Sequence, residues 1–592
     1  MKPEKWIPAL NVIIALAVVG CGIAEQGRDA GVSGEMKQEQ INQEILKEEY
    51  PPAGEILLRD KDTLYENDVE DSIVTMYLTV RRGNNAEGTN HSWSEINSYS
   101  AYDYDQMGID RYQVEALLQV GDETGPSAGE LGYGEVVPNA TVQIRGQTSS
   151  RNAQKNYKIR IKDNKGLWNS QQTINLNKHQ TDGTRFRNKL GFDLIKGIPQ
   201  MMSLRTQFVH LYVKDETEDA QAGFVDYGLY TQVEQLNKRG MRSHGLDPNG
   251  HLYKINFCEF YRYENIIKLA TDPGFDEAAF EAILECKGNN DHTKLIRMLD
   301  AVNDYSISTE ELLDTYFNRE NLAYWMAYHI LTGNIDTESR NFYIYSPQNM
   351  DTWYILSWDL DDSFKYTENL LKSWSDYGAW QRGVSNYWGN MLFRRCLKSN
   401  EFRQQLDLAV EDLRGYLTKE RIGAQIETYR KVTESYIWNM PDVVYEPLTK
   451  SGYNQVAEEM PGLVDYYYMN YQESLECPLP FFIGTPEITN GKLAVRWDVS
   501  YDFQAEDITY RAELARDYRM TDIIASYEGS LPEFDFDILP PGQYFIRVRS
   551  YDISGNEQYA FDYYVTEHGK EYGIKCFYVL PDGSIGEDVY EE

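Results

Sequence analysis

Short runs of alternating hydrophobic and polar residues fill the first part of the chain. From Ile73 the runs IVTMYLTV, YQVEALLQVG and ATVQIRG are separated by turns that contain Gly, Asn and Pro. Alternation with a period of two predicts half-buried β-strands. Further strands are expected from Phe208 to Val213 and from Gly228 to Val233. This part of the chain is therefore predicted to be rich in β-sheet.

Helical spacing becomes more frequent further along the chain. Phe186, Leu190 and Leu194 recur at helical intervals, and a Gly-Ile-Pro sequence follows them as a stop signal. A β-rich part is thus predicted to precede a mainly helical part. The longer helical segments are expected at about 276–302, 310–331 and 388–475.

The pattern changes again near residues 477–486, the sequence CPLPFFIGTP. Beyond it, KLAVRWDV, ITYRAELARD and GQYFIRVRSYD are short alternating strands separated by turns. They predict a small all-β sandwich at 480–568. Trp497 and Tyr544 make this segment similar to a fibronectin type III module, a kind of module that serves as a spacer or binds a surface partner. Residues 569–592 are expected to form an acidic tail.

The N-terminus has the features of a targeting segment. Lys2 and Lys5 precede an apolar run from Ile7 to Val19, which is too short for a membrane span and suits a signal peptide. The following Cys21 lies in a sequence that resembles the bacterial lipobox. We therefore expect a lipoprotein signal peptide at 1–21, a flexible tether at 22–68, and a lipid anchor that holds the protein at the extracellular face of the bacterial membrane. An ordinary signal peptide or an uncleaved anchor is the alternative.

Composition and net charge limit the kinds of molecule that the protein is expected to bind. The chain has 592 residues, of which 42% are hydrophobic, so it is long enough for several globular domains. Its net charge of −36 disfavours nucleic acid as a partner. The five cysteines after Cys21 are scattered without a C-x-x-C spacing, which disfavours zinc. We expect them to be mostly reduced, with one disulfide as the alternative.

One segment carries a pattern with a chemical rationale. Asp336 lies five residues before Asn341, two predicted strands follow, and the second strand ends in an acidic cluster of Asp359, Asp361 and Asp362. In protein kinases a catalytic Asp precedes a metal-binding Asn by five residues, and a β-hairpin leads to a second metal-binding Asp. One carboxylate orients the acceptor hydroxyl, while the Asn oxygen and the other carboxylate hold Mg²⁺ on the phosphates.

Three further stretches make the chain similar to the spore-coat-protein-H (CotH) family of atypical secreted kinases. They are RGQTSS with the following QKNYKIRI, the segment LNKHQTDGTRFRNKLGFDLI, and GLYTQVEQ. The resemblance covers roughly residues 135–365, and the matches are colinear. It implies an α+β fold, an atypical protein-kinase-like bilobal domain at 69–476 with a β-rich N-lobe and a helical C-lobe. It also implies ATP with Mg²⁺ or Mn²⁺ as cofactors and a protein substrate.

The resemblance assigns roles to the acidic residues. Asp336 would orient the substrate hydroxyl, Asn341 would bind the second metal ion, and Asp359 would make the main metal contact. Strand alternation would place Asp361 on the same face as Asp359, as a further metal ligand. Each of these residues also has a structural interpretation, as a turn, cap or strand-end residue. One departure concerns Asn334-Ile335, which stand where eukaryotic kinases carry His-Arg before the catalytic Asp.

A candidate nucleotide-binding loop lies between two predicted strands. Gly146 allows a tight turn beside Arg145, and the hydroxyls of Ser149 and Ser150 with the loop N–H groups suit a phosphate. Read alone, the stretch is an ordinary β-turn, because it contains a single Gly.

Two lysines and a glutamate complete the predicted site. Lys155 and Lys158 follow the loop, and one of them should neutralise the α- and β-phosphates; the family resemblance favours Lys155. Glu234 would pair with that lysine or lie at the adenine-binding hinge. Solvent-facing positions on the strands are the alternative for all three.

Three function hypotheses follow. The first is a membrane-anchored atypical kinase that phosphorylates Ser or Thr hydroxyls of extracellular or surface proteins. The second is a catalytically inactive kinase-fold adhesin, or a structural coat or cell-envelope protein. The third is a carbohydrate-active enzyme, which paired acids and Trp residues would suit, although glycoside cleavage does not require the Asp-x-x-x-x-Asn unit.

Overall fold

The computed structural model describes residues 58–372, 378, 380–567 and 569–587. The predicted signal peptide, Cys21 and most of the predicted tether lie outside the described residues. No helix in the described ranges is long and apolar enough to cross a membrane.

The first part of the chain forms an eight-stranded sheet with the order β1–β7–β8–β6–β5–β4–β2–β3, and an additional pairing of β1 with β2 closes this order into a ring. Only the β1–β7 pair is parallel. The strands predicted from alternation are all present. The eight strands are β1 Ile73–Arg81, β2 Val114–Asp122, β3 Gly125–Pro126, β4 Ala140–Arg145, β5 Asn156–Ile161, β6 Thr173–Asn177, β7 Thr206–Asp215 and β8 Phe224–Glu234.

The alternation of β4 and β5 separates a buried face from a polar face. Val142 and Ile159 are cross-strand neighbours and belong to the hydrophobic core that this sheet encloses. Gln143 pairs with Lys158 on the opposite face, and Arg145 lies two residues further along β4 on that same face. Because side chains alternate along a strand, Arg145 and Lys158 share one surface of the sheet.

A second, four-stranded antiparallel sheet has the order β10–β9–β11–β12. It shares a large hydrophobic core with the helices that surround it. Its strands are β9 His251–Ile255, β10 Leu284–Cys286, β11 Phe342–Ser346 and β12 Tyr354–Ser357. The helices up to this sheet are α1 Trp93–Ser98, α2 Ala101–Met107, α3 Arg187–Ile195, α4 Lys238–Ser243, α5 Glu277–Ile283, α6 Thr293–Asn303, α7 Thr309–Tyr316 and α8 Arg319–Thr332. The helices after it are α9 Tyr366–Leu371, α10 Met391–Lys398, α11 Asn400–Tyr416, α12 Lys419–Ile437, α13 Lys450–Glu459 and α14 Leu463–Glu476.

The end of α8 directs the chain into the candidate site. Gly333 caps the helix with φ of 62°, and a Cβ at this position would lie 2.1 Å from the ring of Tyr467. Glycine meets both requirements, because it tolerates the left-handed conformation and leaves room for the ring. The chain then passes through residues 334–341 and enters the β11–β12 hairpin.

The segment after α14 forms two main sheets that contribute to one hydrophobic cluster. Its strands continue beyond residue 568, where the sequence pattern ended the predicted sandwich: β22 pairs with β18, and β23 pairs with β22. The run IKCFYV alternates like the earlier strands, and the acidic residues around it hid that signal. The fibronectin type III assignment stays a prediction. The strands are β13 Glu487–Thr489, β14 Lys492–Arg496, β15 Thr509–Ala515, β16 Ile523–Gly529, β17 Glu533–Asp537, β18 Gly542–Tyr551, β19 Glu557–Tyr559, β20 Tyr563–Thr566, β21 Gly569–Tyr572, β22 Ile574–Val579 and β23 Ile585–Glu587.

Aromatic contacts hold this C-terminal module, residues 480–587, against the helical part. The ring of Trp388 lies 5.3 Å from that of Tyr501 and 6.1 Å from that of Phe503. The guanidinium of Arg403 lies 4.5 Å from the Phe503 ring. Such contacts add to the burial of apolar area, so the module has a fixed place beside the helices.

Packing also begins earlier than the predicted tether boundary at residue 68. Leu58 is buried in the large core, and the carboxylate of Asp60 lies 2.6 Å from Nδ1 of His244. No disulfide joins the five described cysteines, which are Cys258, Cys286, Cys396, Cys477 and Cys576.

Candidate active site

The loop between α8 and β11 brings Asp336 and Asn341 together. The Asn341 side-chain amide donates to the Asp336 carbonyl oxygen at 3.1 Å and to its carboxylate Oδ2 at 2.6 Å. Asn341 has φ of 61°, a left-handed conformation that Asn tolerates better than most residues. Because Nδ2 is used in these bonds, Oδ1 is the amide atom that remains to bind a cation.

Two asparagines hold the backbone of this loop from outside. Asn386 donates to the carbonyl oxygen of Ile335 at 3.0 Å, and Asn390 donates to that of Glu338 at 2.8 Å. Both asparagines are buried. Hydrogen bonds to buried carbonyl groups restrict the backbone, so the position of the Asp336 carboxylate is set before a ligand arrives.

The electrostatic environment of the Asp336 carboxylate raises its pKa. Its burial within the loop raises its pKa well above the usual range, although the side chain is 44% exposed by area. The charges of Glu338 and Asp359 act in the same direction. Arg340 opposes them, because its guanidinium lies 3.4 Å from Asp336 and 3.6 Å from Glu338. A carboxylate with a raised pKa is a better proton acceptor.

Asp359 lies at the same end of the β11–β12 hairpin as Asn341. Phe342 pairs with Ser357, so the residues just outside this pair, Asn341 and Trp358, flank the open end of the hairpin. Asp359 follows directly, with φ of 54°. Burial and repulsion by Asp361 raise the pKa of Asp359 to about 6.

Asp361 does not occupy a strand position, so the alternation used to predict its direction does not apply. Residues 360–362 form a 3₁₀ turn. The Asp361 carboxylate lies 3.4 Å from Nδ1 of His179, and Nε2 of that ring lies 3.3 Å from the amide of Asn188. Burial would raise the pKa of Asp361, but the His179 hydrogen bond and the Lys365 charge outweigh it and lower the pKa. His179 has no motif that would have marked it in the sequence.

The donor set fits a hard divalent cation. Among the described residues, no three His, Cys, Asp or Glu side chains form a metal-binding group. Mg²⁺ does not need one, because it commonly binds one or two protein oxygen ligands and completes its shell with phosphate and water. The mutual repulsion of Asp359 and Asp361, which raises the pKa of Asp359, is the kind of unbalanced negative charge that a cation relieves. Asn341 Oδ1 and Asp359 are the residues that would hold the ion.

The predicted phosphate loop has fewer free hydroxyls than its sequence suggests. Gly146 has φ of 88°, and a Cβ there would lie 2.1 Å from Oγ of Ser149. Ser150 is fully buried; its hydroxyl donates to the Gln147 carbonyl and accepts from the N–H of Ala101. Ser150 therefore stabilises the turn. The Ser149 Oγ accepts from the Asn156 amide at 3.0 Å, which leaves its O–H to donate to a ligand.

The two candidate lysines differ in position and contacts. Lys155 precedes β5 and donates to the Ser150 carbonyl oxygen at 2.6 Å. Lys158 lies within β5 on the face of Arg145. Burial and the charge of Lys287 lower the pKa of Lys158. This arrangement favours Lys158 as the phosphate ligand, whereas the family resemblance favours Lys155.

The second sheet adds a lysine that no motif indicated. Lys254 on β9 is the cross-strand neighbour of Tyr343 on one side and of Glu285 on the other. Burial lowers the pKa of Lys254, while the charges of Glu285 and Asp359 act against that effect. The charge of Asp359 likewise raises the pKa of Arg145, against the larger lowering effect of burial. One basic group from each sheet, Arg145 and Lys254, is therefore within electrostatic reach of Asp359.

Glu234 lies in a buried network that contains neither candidate lysine. Its carboxylate accepts from Arg205 at 2.6 Å and lies 2.9 Å from Nε2 of His244. Burial would raise the pKa of Glu234, but these two cations lower it to about 2. The predicted pairing with Lys155 or Lys158 is not present, because Arg205 on the neighbouring segment is closer.

Comparison with known proteins identifies the family of the chain. A family model described as CotH kinase protein matches residues 142–472, which is more than half of the chain. The chain belongs to the CotH kinase family and is a kinase-like protein. A search of curated proteins found no significant match.

Among solved structures, the chain is similar to the crystal structure of a Helicobacter pylori proinflammatory kinase, CtkA. The sequence identity is 9%, and the match covers 54% of this chain and 94% of that chain. The TM-score is 0.27, which is too low for this likeness to support an inference about the site.

Proposed function

We propose that the protein is a metal-dependent protein kinase that transfers the γ-phosphoryl group of ATP to Ser or Thr hydroxyls of extracellular or surface proteins. The observation that carries this proposal is that acidic and basic side chains come together at one end of the β11–β12 hairpin. The Asp336–Asn341 pair and Asp359 lie at one end of the hairpin. The charge of Asp359 acts on Arg145 of the first sheet and on Lys254 of the second, and Lys158 shares the strand face of Arg145. Phosphoryl transfer needs this combination of a positioned carboxylate, oxygen ligands for a cation, and positive charge for the phosphates.

Each group has a part in the proposed reaction. Asp336 accepts a hydrogen bond from the acceptor hydroxyl and takes its proton, and Asn341 holds that carboxylate in place. Arg145, Lys158 and Lys254 balance the charge of the phosphates. Mg²⁺ or Mn²⁺, when bound, supplies further positive charge at the phosphate oxygens.

The decisive experiment measures nucleotide binding and phosphoryl transfer in parallel. The full chain, purified in detergent, is incubated with γ-labelled ATP and Mg²⁺ or Mn²⁺ beside Asp359→Asn. ATP should raise the melting temperature only with the metal ion, and the variant should lose this effect. An equal stabilisation of the variant would remove Asp359 from the site. ATP binding without transfer to any protein would instead support an inactive kinase-fold adhesin or coat protein.

We further propose that the protein is secreted and anchored to the bacterial membrane through Cys21. The support is the apolar run followed by a lipobox-like sequence. Labelled palmitate fed to expressing bacteria should appear on the parent protein and be lost in Cys21→Ser. Label that persists in this variant would refute lipidation at Cys21.

A further inference from the structure

A cavity of about 1020 Å³ lies beside the candidate catalytic loop. Its walls come from loop residues 333–335, from helix α14, and from β19 of the C-terminal module with the preceding Asn556. None of Arg145, Lys158, Lys254 and Asp359 lines it. The cavity is therefore separate from the residues assigned to the nucleotide. It adjoins the catalytic loop through Asn334 and Ile335, the two residues before Asp336.

Buried amide groups that face this cavity lack partners. Asn334 is 1% exposed and lines the cavity, and neither its Oδ1 nor its Nδ2 has a hydrogen-bond partner among the described residues. Asn386, which also lines it, uses Nδ2 on the loop carbonyl but has no partner for Oδ1. Leaving a buried polar group without a partner is costly, so a bond from a bound ligand or water is expected at these amides.

The rest of the lining combines aromatic rings with amide and charged side chains. Tyr366 and Tyr466 stack with ring centroids 4.1 Å apart, and Tyr559 contributes from the C-terminal module. The cations of the lining, Lys365 and Arg382, are ion-paired within the protein. Of its carboxylates, Glu473 is the partner of Arg382 and Glu557 pairs with Arg549, while Glu476 adds one more negative charge. A fitting ligand therefore offers hydrogen-bond donors and acceptors together and carries no negative charge of its own at this wall. The amide groups of a polypeptide backbone have this property.

From this geometry we infer that the cavity binds an extended polypeptide segment of the protein substrate that carries the acceptor hydroxyl. Asn334 is two residues from Asp336, a distance of at most about 7 Å along the chain. A segment bound to the Asn334 amide can thus bring a hydroxyl to the Asp336 carboxylate. The C-terminal module is then one wall of the substrate site.

This inference rests on the proposed function, because the segment is the acceptor of the same reaction. The acceptor oxygen forms a bond to the γ-phosphorus, and the bond from that phosphorus to the β–γ bridging oxygen breaks. ADP leaves with the bond electrons, and the hydroxyl proton passes to Asp336.

The test uses two tyrosines of helix α14. Tyr466 lines the cavity, whereas Tyr468 does not; its hydroxyl binds Glu411 at 2.6 Å and its ring lies 3.6 Å from the Arg414 guanidinium. The parent is first assayed against a library of 12-residue peptides with a central Ser or Thr, with γ-labelled ATP and metal ion. For the best peptide, Tyr466→Ala should raise the KM at least about tenfold, as the loss of a buried aromatic anchor does. Tyr468→Ala should leave this KM within about twofold.

A second variant tests the contribution of the C-terminal module. Tyr559→Ala should also raise the KM for the peptide, while the KM for ATP and the stabilisation by ATP with metal stay within about twofold of the parent. The melting temperature of each variant is measured, and a circular-dichroism spectrum equal to that of the parent shows that the variant is folded.

The outcomes separate the inference from the proposed function. If peptides are phosphorylated and both Tyr466→Ala and Tyr559→Ala, folded, keep the parental KM, the substrate site lies elsewhere and the inference is wrong. If ATP with metal stabilises the parent but no peptide is phosphorylated, the proposed protein kinase activity fails, and the inference fails with it. Maltohexaose is assayed in parallel as a neutral oligosaccharide. Its phosphorylation, abolished by Tyr466→Ala, would overturn the polypeptide assignment in favour of a sugar.

Discussion

The two sides of the candidate cleft are organised differently. On the acidic side, the loop that carries Asp336 is fixed by hydrogen bonds from Asn341, Asn386 and Asn390. On the basic side, Arg145 and Lys158 extend from neighbouring strands as long side chains. The acidic side thus has a geometry set by bonds to the backbone, whereas the basic side depends on side-chain contacts, such as the Arg145 guanidinium 5.9 Å from the centre of the Trp358 ring.

This difference matches what each side has to do. A group that takes a proton must be held within a few tenths of an ångström of its substrate, and misplacement of a reacting group is costly. A cation that balances phosphate charge acts over a longer distance and tolerates movement. We therefore expect changes on the acidic side to affect mainly the rate of transfer, and changes on the basic side to affect mainly nucleotide affinity.

The largest effect is expected at Asp336. Asp336→Ala should reduce phosphoryl transfer at least ~10²-fold, because a positioned general base typically contributes 10²–10⁴-fold. The affinity for ATP with metal should stay within a few-fold of the parent, since this carboxylate acts on the acceptor. Single-turnover transfer and the ATP-dependent melting shift provide the two measurements. Transfer at the parental rate would refute the assignment of the Asp-x-x-x-x-Asn unit.

The second prediction distinguishes the two lysines. Lys158→Ala should weaken ATP binding roughly 10- to 100-fold, as the loss of a charge-assisted hydrogen bond to phosphate does. Lys155→Ala should change this affinity less than about threefold, because the Lys155 ammonium is already bound to the Ser150 carbonyl of the loop. Isothermal titration with ATP and metal measures both. The reverse order would restore Lys155 as the phosphate ligand.

Local patterns in the sequence were enough to predict the β11–β12 hairpin and the acidic residues at its end. A five-residue spacing and two alternating strands predicted that Asn341 and Asp359 lie near the same end of the hairpin, and the strand pairing agrees. Strand alternation failed at Asp361, since residues 360–362 form a turn. The strands after residue 568 were missed because their alternation is short and lies among acidic residues.

Contacts between distant segments could not be predicted. Lys254 and Glu285 lie on β9 and β10, about 100 residues or more from β4 and β5, and neither belongs to a motif. The contact between Glu234 and Arg205 could likewise not be predicted, because Arg205 reaches Glu234 only after β7 pairs with β8. Such pairings depend on tertiary packing, which local sequence does not encode.

The third prediction concerns the outer support of the acidic side. Asn390 donates to the loop carbonyl of Glu338 and also caps helix α10 with its Oδ1. Asn390→Ser keeps a good helix cap but loses the bond to the loop. The rate of transfer should fall roughly two- to tenfold, in line with one neutral hydrogen bond, while ATP affinity changes little.

The matched control is Asn237→Ser, which replaces the same residue type at the cap of α4. This change should leave the rate of transfer at the parental level. Equal losses in the two variants would mean that the effect comes from helix capping in general, and that the bond to the loop has no special part in the reaction.

The smallest effect is expected at the buried network around Glu234, which lies away from both sides of the cleft. Burial alone would lower the pKa of His244, but the charges of Glu234 and Asp60 raise it to about 9. A histidine with a raised folded pKa adds stability that is fully present below its unfolded pKa of about 6.5 and is lost as the pH rises through 9. The parent should therefore lose several degrees of melting temperature between pH 6.5 and 9.5.

His244→Gln should reduce this alkaline loss, while it lowers the melting temperature at pH 6.5. His329 provides the comparison, because it is equally buried but burial lowers its pKa to about 3, so it is neutral across this range. His329→Gln should keep the alkaline slope of the parent. Thermal unfolding of the three proteins at half-unit pH intervals measures the slopes. If His244→Gln has the same slope as the parent, the network is uncharged at His244, and Glu234 must be balanced by Arg205 alone.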